Sequence, residues 1–419
     1  MGNIKRSKRI ICGSIALAAV AVFGFMGVQK FSPNERSLRI INDRSVMTAA
    51  DAVENDEVKN STSLNIDAKA AILIDGSSGR VLYAQDAKKH LPPASVTKVM
   101  TLLLIMEGCE SGKISLDDQV VVSERAADMG GSQMYMEMGE THSVEELLKG
   151  VIMVSANDGC VALAEHLSGN VEAFVDDMNK RAKKMGLNDS NFINTNGLPV
   201  TDHYSCAYDI GMISYELMKH EYAQKWFTTW QEDIKVGLPG KERKFTLTNT
   251  NKLIKTYNGA IGVKTGYTDD AGYCLSGAAE RDGSRMIGVV LGCKTSDIRF
   301  KEMGRLLDHG FAKYETVELV KQNEKVKKID IEKGTCDKIY AIAENPIKLT
   351  VERGMAEKVT KEATVNKNIK LPIKKGDVVG ELTVYENDKS KHTYDLVSDR
   401  DVSKAGFVTQ YIRLIKKLI

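Results

Sequence analysis

The sequence has almost no surplus of either charge. Its 58 Lys and Arg residues face 56 Asp and Glu, a formal net charge of +2. A chain without a broad basic face is a poor nucleic-acid binder, so no nucleic-acid partner is expected. Proline is scarce, at 7 of 419 residues, which excludes a proline-rich scaffold. The seven cysteines, Cys12, Cys109, Cys160, Cys206, Cys274, Cys293 and Cys336, form no C-x-x-C. The common zinc and dithiol motifs are therefore missing. An odd, scattered set in so long a chain argues against a disulfide framework, and most of these residues read as small buried hydrophobes. Cys274 and Cys293 lie in consecutive strand-like runs, and the sequence leaves their pairing open. There is no G-x-S-x-G, and His220-Glu221-Tyr222-Ala223-Gln224 lacks the second histidine of H-E-x-x-H. Neither a hydrolase elbow nor a zinc-peptidase helix is present. No internal repeat and no low-complexity tract occurs, and no metal or organic cofactor is expected.

What remains is a globular composition, 42% hydrophobic and 27% charged, long enough for two or three domains. Lys5, Arg6, Lys8 and Arg9 precede an uncharged run from Ile10 to Val28. A basic flank before an apolar run is the pattern of a signal peptide or membrane anchor over residues 1–28, with the remainder outside the cytoplasm. No A-x-A follows directly, so cleavage and retention both remain open. Residues 29–64 read as a polar linker.

A catalytic-size domain is expected over residues 65–312. Ala71–Ile74 and Val81–Tyr83 flank a turn-rich loop and read as a hairpin. Val96–Met106 is apolar almost all round, the mark of a buried central helix. Helical patterns follow at Val144–Ile152, Cys160–Leu167, Val171–Met185 and Tyr208–Met218, then strands at Ala260–Val263, Tyr273–Ala279 and Arg285–Leu291. Two strands first, helices in the middle and three strands last predict an α+β domain. Its five strands share one antiparallel sheet flanked by helices. Short alternating runs between Val317 and Leu396 predict a small all-β domain over residues 316–400. Residues 401–419 read as a basic amphipathic helix, with Val408, Tyr411, Ile412, Ile415, Leu418 and Ile419 on one face. Such a helix suits an anionic membrane surface; packing on the β domain is the alternative.

Three short elements carry chemistry. Ser95 and Lys98 are three residues apart at the start of the buried helix, so they share one face. A serine needs a base to become a nucleophile, and a buried lysine with a lowered pKa can be that base. A capping serine beside a solvated lysine is the plain alternative. Ser155 and Asn157 lie between two helical segments. Ser155 can relay a proton to a leaving amine, and Asn157 can orient Lys98 and hold a substrate carbonyl. Lys264 and Thr265 suit a carboxylate, and Gly266 lets a substrate backbone lie along the strand.

S-x-x-K, S-x-N and K-T-G in this order resemble the serine D-alanyl-D-alanine carboxypeptidases, the low-molecular-mass penicillin-binding proteins, with class A β-lactamases as relatives. Gly130-Gly131-Ser132, Asn196-Gly197-Leu198-Pro199, His203-Tyr204-Ser205, Asn249-Thr250-Asn251-Lys252, Ala271-Gly272-Tyr273-Cys274 and Leu371–Asp377 extend the likeness. The resemblance implies a transpeptidase-like catalytic domain, a sandwich-like second domain and a terminal membrane anchor. It implies that Ser95 attacks peptidoglycan stem peptides ending in D-Ala-D-Ala and is acylated by β-lactam antibiotics. It also implies an oxyanion hole of the Ser95 and Tyr267 N–H groups, with Tyr267 where many relatives have histidine. A β-lactamase would need an E-x-x-L-N-like loop, of which Glu165–Asn170 is only a loose echo. A nonenzymatic penicillin-binding wall protein and a DD-endopeptidase are the other readings. His203 and Tyr204 read as loop supports, Met134, Met136 and Met138 as half-buried packing, and Lys241–Lys244 as a solvated charge run.

Overall fold

The computed structural model describes residues 64–366, 369–386 and 390–407. The expected export segment, all but the last residue of the linker, and the apolar face beginning at Val408 lie outside the described residues.

Five strands form one antiparallel sheet: β1 (Ala70–Asp75), β2 (Val81–Gln85), β3 (Ala260–Thr268), β4 (Gly272–Arg281) and β5 (Ser284–Cys293). Their order is β2-β1-β5-β4-β3, so the N-terminal hairpin pairs with the C-terminal meander and β3 is an edge. The strands run longer than their apolar cores. Lys264, Thr265 and Gly266 lie inside β3 rather than at its end.

Side chains alternate between two apolar layers. Ile72, Ile74, Val289 and Leu291 join the core with helix α1 (Lys98–Glu110) and the helices α2 (Val144–Met153), α3 (Asn157–Ser168), α4 (Val171–Lys184) and α5 (Ala207–Leu217). Leu73, Ala279, Met286 and Val290 face Met303, Leu306 and Leu307 of α6 (Ser296–Lys313). Alternation of period two is what a sheet covered on both faces requires. Gly277 and Gly288 are paired across β4 and β5, and a Cβ on either would sit within 3 Å of the Met303 side chain. Their bareness lets α6 lie directly on the sheet.

α1 is buried nearly all round, so packing rather than propensity holds it. It follows Pro92-Pro93 and a 3₁₀ turn at Ala94–Thr97, and Gly112, at φ +71°, follows its end. α5 begins with Cys206, whose Sγ accepts the Asp209 N–H. Thus one of the small buried cysteines also caps a helix. Cys274 and Cys293 are free thiols.

The second domain pairs β6 (Tyr314–Val320) with β9 (Ile347–Glu352). Opposite lies a sheet in the order β7-β8-β12-β11-β10, from β7 (Lys325–Asp330), β8 (Lys338–Ile342), β10 (Val359–Val365), β11 (Val378–Glu386) and β12 (Ser390–Ser398). Leu349 and Val351 meet Ile339, Val384 and Leu396 between them. Arg80 ties the domains together, with Nη1 2.7 Å from Glu386 and Nη2 donating to Thr350 O at 2.8 Å. The expected terminal helix does not begin at residue 401. Residues 401–406 are not helical, and Val402 bridges to Ile373 because its side chain fills the β-domain core.

Candidate active site

The stiff Pro92-Pro93 approach ends at Ala94, whose φ of +50° is a left-handed conformation. The 3₁₀ turn that follows presents Ser95, and the first residue of α1 is Lys98. Lys98 Nζ lies 2.9 Å from Ser95 Oγ, 2.7 Å from Asn157 Oδ1 and 2.8 Å from the Asn196 carbonyl. The side chain is fully buried. An ammonium would donate all three hydrogens here. A neutral amine needs only two, for Asn157 and Asn196, and then offers its lone pair to the Ser95 hydroxyl. Burial pushes the Lys98 pKa down to about 8, against the smaller opposing influences of Cys160 and Asp158.

Each partner of Lys98 is itself fixed. Asn157 Nδ2 donates to Gly130 O at 2.7 Å and its backbone N–H to Ser132 O at 2.7 Å, which assigns the amide oxygen to Lys98. Asp158, buried, accepts the Met134 N–H at 2.9 Å and holds that loop down. Asn194 Oδ1 accepts the N–H groups of Asn196 and Gly197, so the loop aims the Asn196 carbonyl inward. Gly197 has φ +86°, and a Cβ there would meet Ala94 O at 1.8 Å. His203 accepts the Ile193 N–H at Nδ1, so Nε2 carries the proton toward Thr97 Oγ1 at 2.9 Å. Burial lowers its pKa to about 4, leaving it a neutral support. Tyr204 stacks on His90 with centroids 4.4 Å apart. Both therefore buttress the loop.

Ser155 sits in the turn between α2 and α3 at φ +62°. Its Oγ is buried and has no hydrogen-bond partner among the described residues. The fold brings it beside Asn157 but does not bond it to Ser95 or Lys98. On the other wall, Lys264 is buried and donates to Thr265 O at 3.2 Å. Burial first, and the nearby Lys98 second, hold its pKa well below the usual lysine value. Thr265 Oγ1 is 2.8 Å from Thr250 Oγ1. Gly266 touches the Ser95 turn, since a Cβ on it would lie 3.0 Å from Ser95 N and 2.9 Å from Val96 N. Tyr267 is half exposed, its hydroxyl donates to Asp269 at 2.7 Å, and its ring lies against that of Tyr273. A cleft of roughly 370 Å³ adjoins the site, with Ala94, Leu198, His203, Thr268 and Asp270 in its walls.

Several contributors were not singled out for a role in the sequence. The Asn196 and Gly130 carbonyls are backbone groups and leave only a turn signal. Thr250 lies in a segment that carries the resemblance, but its pairing with Thr265 is visible only once β3 is placed. Arg299, on α6, donates to Gly266 O at 3.1 Å. The repeat of Met303, Leu306, Leu307 and Gly310 after the capping Thr295 was the available signal for that helix. Met134 and Met136 are buried and Met138 is exposed, as packing residues of a loop are. Asp189, Cys206 and Asp209 bring ligand-type atoms within 4.8 Å of one another. Their bonds serve the start of α5, where Asp209 Oδ2 takes the Asp189 N–H and the Ser190 hydroxyl.

Residues 56–295 match the family described as D-alanyl-D-alanine carboxypeptidase, peptidase S11. Residues 314–404 match the C-terminal domain of penicillin-binding protein 5. The D-alanyl-D-alanine carboxypeptidase DacF of Bacillus subtilis is 41% identical over 362 residues, covering 86% of this chain and 92% of that one. DacC of Escherichia coli is 34% identical, covering 82% and 86%. The crystal structure of penicillin-binding protein 5 from Haemophilus influenzae is 30% identical with a TM-score of 0.67, covering 82% of this chain and 99% of that one.

A methyl group at Gly266 would displace the Ser95 turn. Gly266→Ala is expected to fold but to lose roughly 100-fold in the rate of acylation by penicillin, the usual effect of a shift of about 1 Å at a reacting group. Acylation at the parental rate would show that the contact is not tight.

Proposed function

The chain belongs to the D-alanyl-D-alanine carboxypeptidase family, and from that membership we propose a reaction and a role for each residue of the cleft. The protein is a serine hydrolase that removes the terminal D-alanine from peptidoglycan stem peptides ending in D-Ala-D-Ala. The observation that carries this reading is the buried Lys98 amine, bonded at once to Ser95, Asn157 and Asn196.

Neutral Lys98 takes the Ser95 proton as Oγ attacks the carbonyl of the penultimate D-alanine. The Ser95 and Tyr267 N–H groups receive the developing oxyanion. Ser155, whose hydroxyl has no partner among the described residues, relays the proton taken up by Lys98 to the leaving nitrogen, which returns Lys98 to its neutral form. D-alanine departs, and water then hydrolyses the ester on Ser95. Asn157 orients Lys98 and holds the substrate amide. The Thr265 hydroxyl, paired with Thr250, takes the substrate carboxylate, with the buried Lys264 amine beside it as a further hydrogen-bond donor. A β-lactam mimics the substrate and acylates the same serine.

The same proposal places the reaction outside the cytoplasm, at the membrane surface. Its supports are Lys5, Arg6, Lys8 and Arg9 before the apolar run, and the basic pattern around Arg413, Lys416 and Lys417.

Three outcomes are expected. A peptide ending in D-Ala-D-Ala releases D-alanine with the parent and not with Ser95→Ala; equal release by both would remove Ser95 as nucleophile. The lowered pKa of Lys98 means that its basic form grows as pH rises toward about 8. The penicillin acylation rate should therefore climb about tenfold per pH unit below that value and level off above it. A flat profile would exclude Lys98 as base. In a chain lacking residues 1–28, removal of residues 408–419 should abolish co-sedimentation with anionic vesicles, and retained binding would refute the C-terminal anchor.

A further inference from the structure

We propose that Arg299 is a positioning residue for the oxyanion site, holding and polarising the Gly266–Tyr267 peptide whose N–H receives the oxyanion. The inference rests on the oxyanion assignment made under the proposed function.

Arg299 is the fourth residue of α6 and is 6% exposed. Nη1 donates to Gly266 O at 3.1 Å and to Cys274 O at 3.3 Å, and Nη2 to Ser296 Oγ at 3.3 Å. The guanidinium lies over the rings of Phe300 and Tyr273, at 4.6 and 5.4 Å from their centroids. Its Nε has no partner among the described residues. Among the described residues no carboxylate appears in this set. A buried cation is costly to keep, and this one is directed at backbone carbonyls rather than at an anion.

The direction of those bonds matters. β3 is the edge of the sheet, and Gly266 pairs with Cys274 of β4. The Gly266 carbonyl therefore points inward, toward β4 and Arg299. The peptide unit is planar and trans, so the Tyr267 N–H points the opposite way, off the open edge. The Ser95 turn packs against this stretch of β3, with Ser95 N 3.0 Å from where a Gly266 Cβ would lie. One peptide thus has a cation at its oxygen and the reaction at its hydrogen.

Two effects follow. A charge-assisted bond to the carbonyl fixes the plane of the peptide, which otherwise lies on a strand edge with one neighbour. Electron density drawn to the carbonyl oxygen also makes the distant N–H a stronger donor, by an amount of order 10–30% for a linked bond. Both effects count most when the oxygen of the reacting carbonyl becomes negative. Arg299 therefore acts on the transition state through a peptide, without touching substrate. Met303, packed over Gly277 and Gly288, anchors the helix that carries it.

The test uses the full chain and the variants Arg299→Gln and Arg299→Lys. Melting temperature reports folding. Turnover of a D-Ala-D-Ala peptide gives kcat and KM separately. The third readout is the infrared stretch of the ester carbonyl formed with penicillin labelled with ¹³C at the β-lactam carbonyl, which rises when the oxyanion donors weaken. Arg299→Gln is expected to lower kcat roughly 10- to 100-fold, with KM within about threefold, and to raise the stretch; loss of a whole donor costs about 100- to 1000-fold. Arg299→Lys should fall between Arg299→Gln and the parent in both. A folded Arg299→Gln with the parental stretch and kcat overturns the proposal. If Arg299→Gln does not fold, an unshifted stretch in Arg299→Lys overturns it. The parent and Ser95→Ala separate the two levels. Failure of the parent to acylate, or acylation of Ser95→Ala, defeats the functional reading itself. Sound controls with an unshifted stretch defeat only the role of Arg299.

Discussion

A single buried amine organises the cleft. Lys98 gives up solvent entirely, and three oxygens from three separate segments close around its nitrogen. Desolvation favours the uncharged form, and the geometry suits that form, with two hydrogens for fixed acceptors and a lone pair for the serine. The neighbouring Lys264 is governed in the same way. Burial first, and the charge of Lys98 second, hold its pKa well below the usual value. The cleft is thus a pair of lysines whose protons are governed by burial, with an unengaged serine hydroxyl nearby.

The rest of the domain keeps those oxygens in place. α1 is fixed by apolar packing on every side, so its first residue cannot withdraw toward water. Thr97, in the 3₁₀ turn before that helix, bonds His203, and Thr101, on the helix, bonds the Thr195 carbonyl, tying both to the loop that supplies Asn196. Asp158 anchors the segment that receives Asn157. Close approaches at Gly197 and Gly266 bring a loop and a strand edge against the serine turn, where any side chain would push them apart. The β domain is joined through Arg80 and lies outside this network.

The candidate site residues were legible because they lie in short, ordered motifs. Ser95, Lys98 and Asn157 meet within hydrogen-bond distance, and Lys264, Thr265 and Gly266 line one strand. The five-stranded sheet followed from two early and three late apolar runs. What stayed hidden has common physical causes. The Asn196 and Gly130 acceptors are backbone carbonyls, identical in every residue. α6 went unassigned between the last strand and the β domain, and Arg299 with it, because its apolar stripe includes a glycine and is interrupted by buried Arg299 and Glu302. β10 is an edge strand with few buried positions, so it lacks alternation. The hairpin of Gln231–Val236 and Arg243–Thr248 hid behind the charge run Lys241–Lys244, part of which is strand.

The lowered pKa of Lys98 is the central claim, and a direct titration of its nitrogen decides it. Lysine labelled with ¹³C at Cε reports the charge on Nζ in a nuclear magnetic resonance spectrum, and Lys98→Arg identifies the resonance by its loss. The account predicts a midpoint near 8 for Lys98 in the free enzyme. A midpoint at the ordinary lysine value of about 10.4 would leave only about one Lys98 in 2500 uncharged at pH 7, and the base would have to be sought elsewhere.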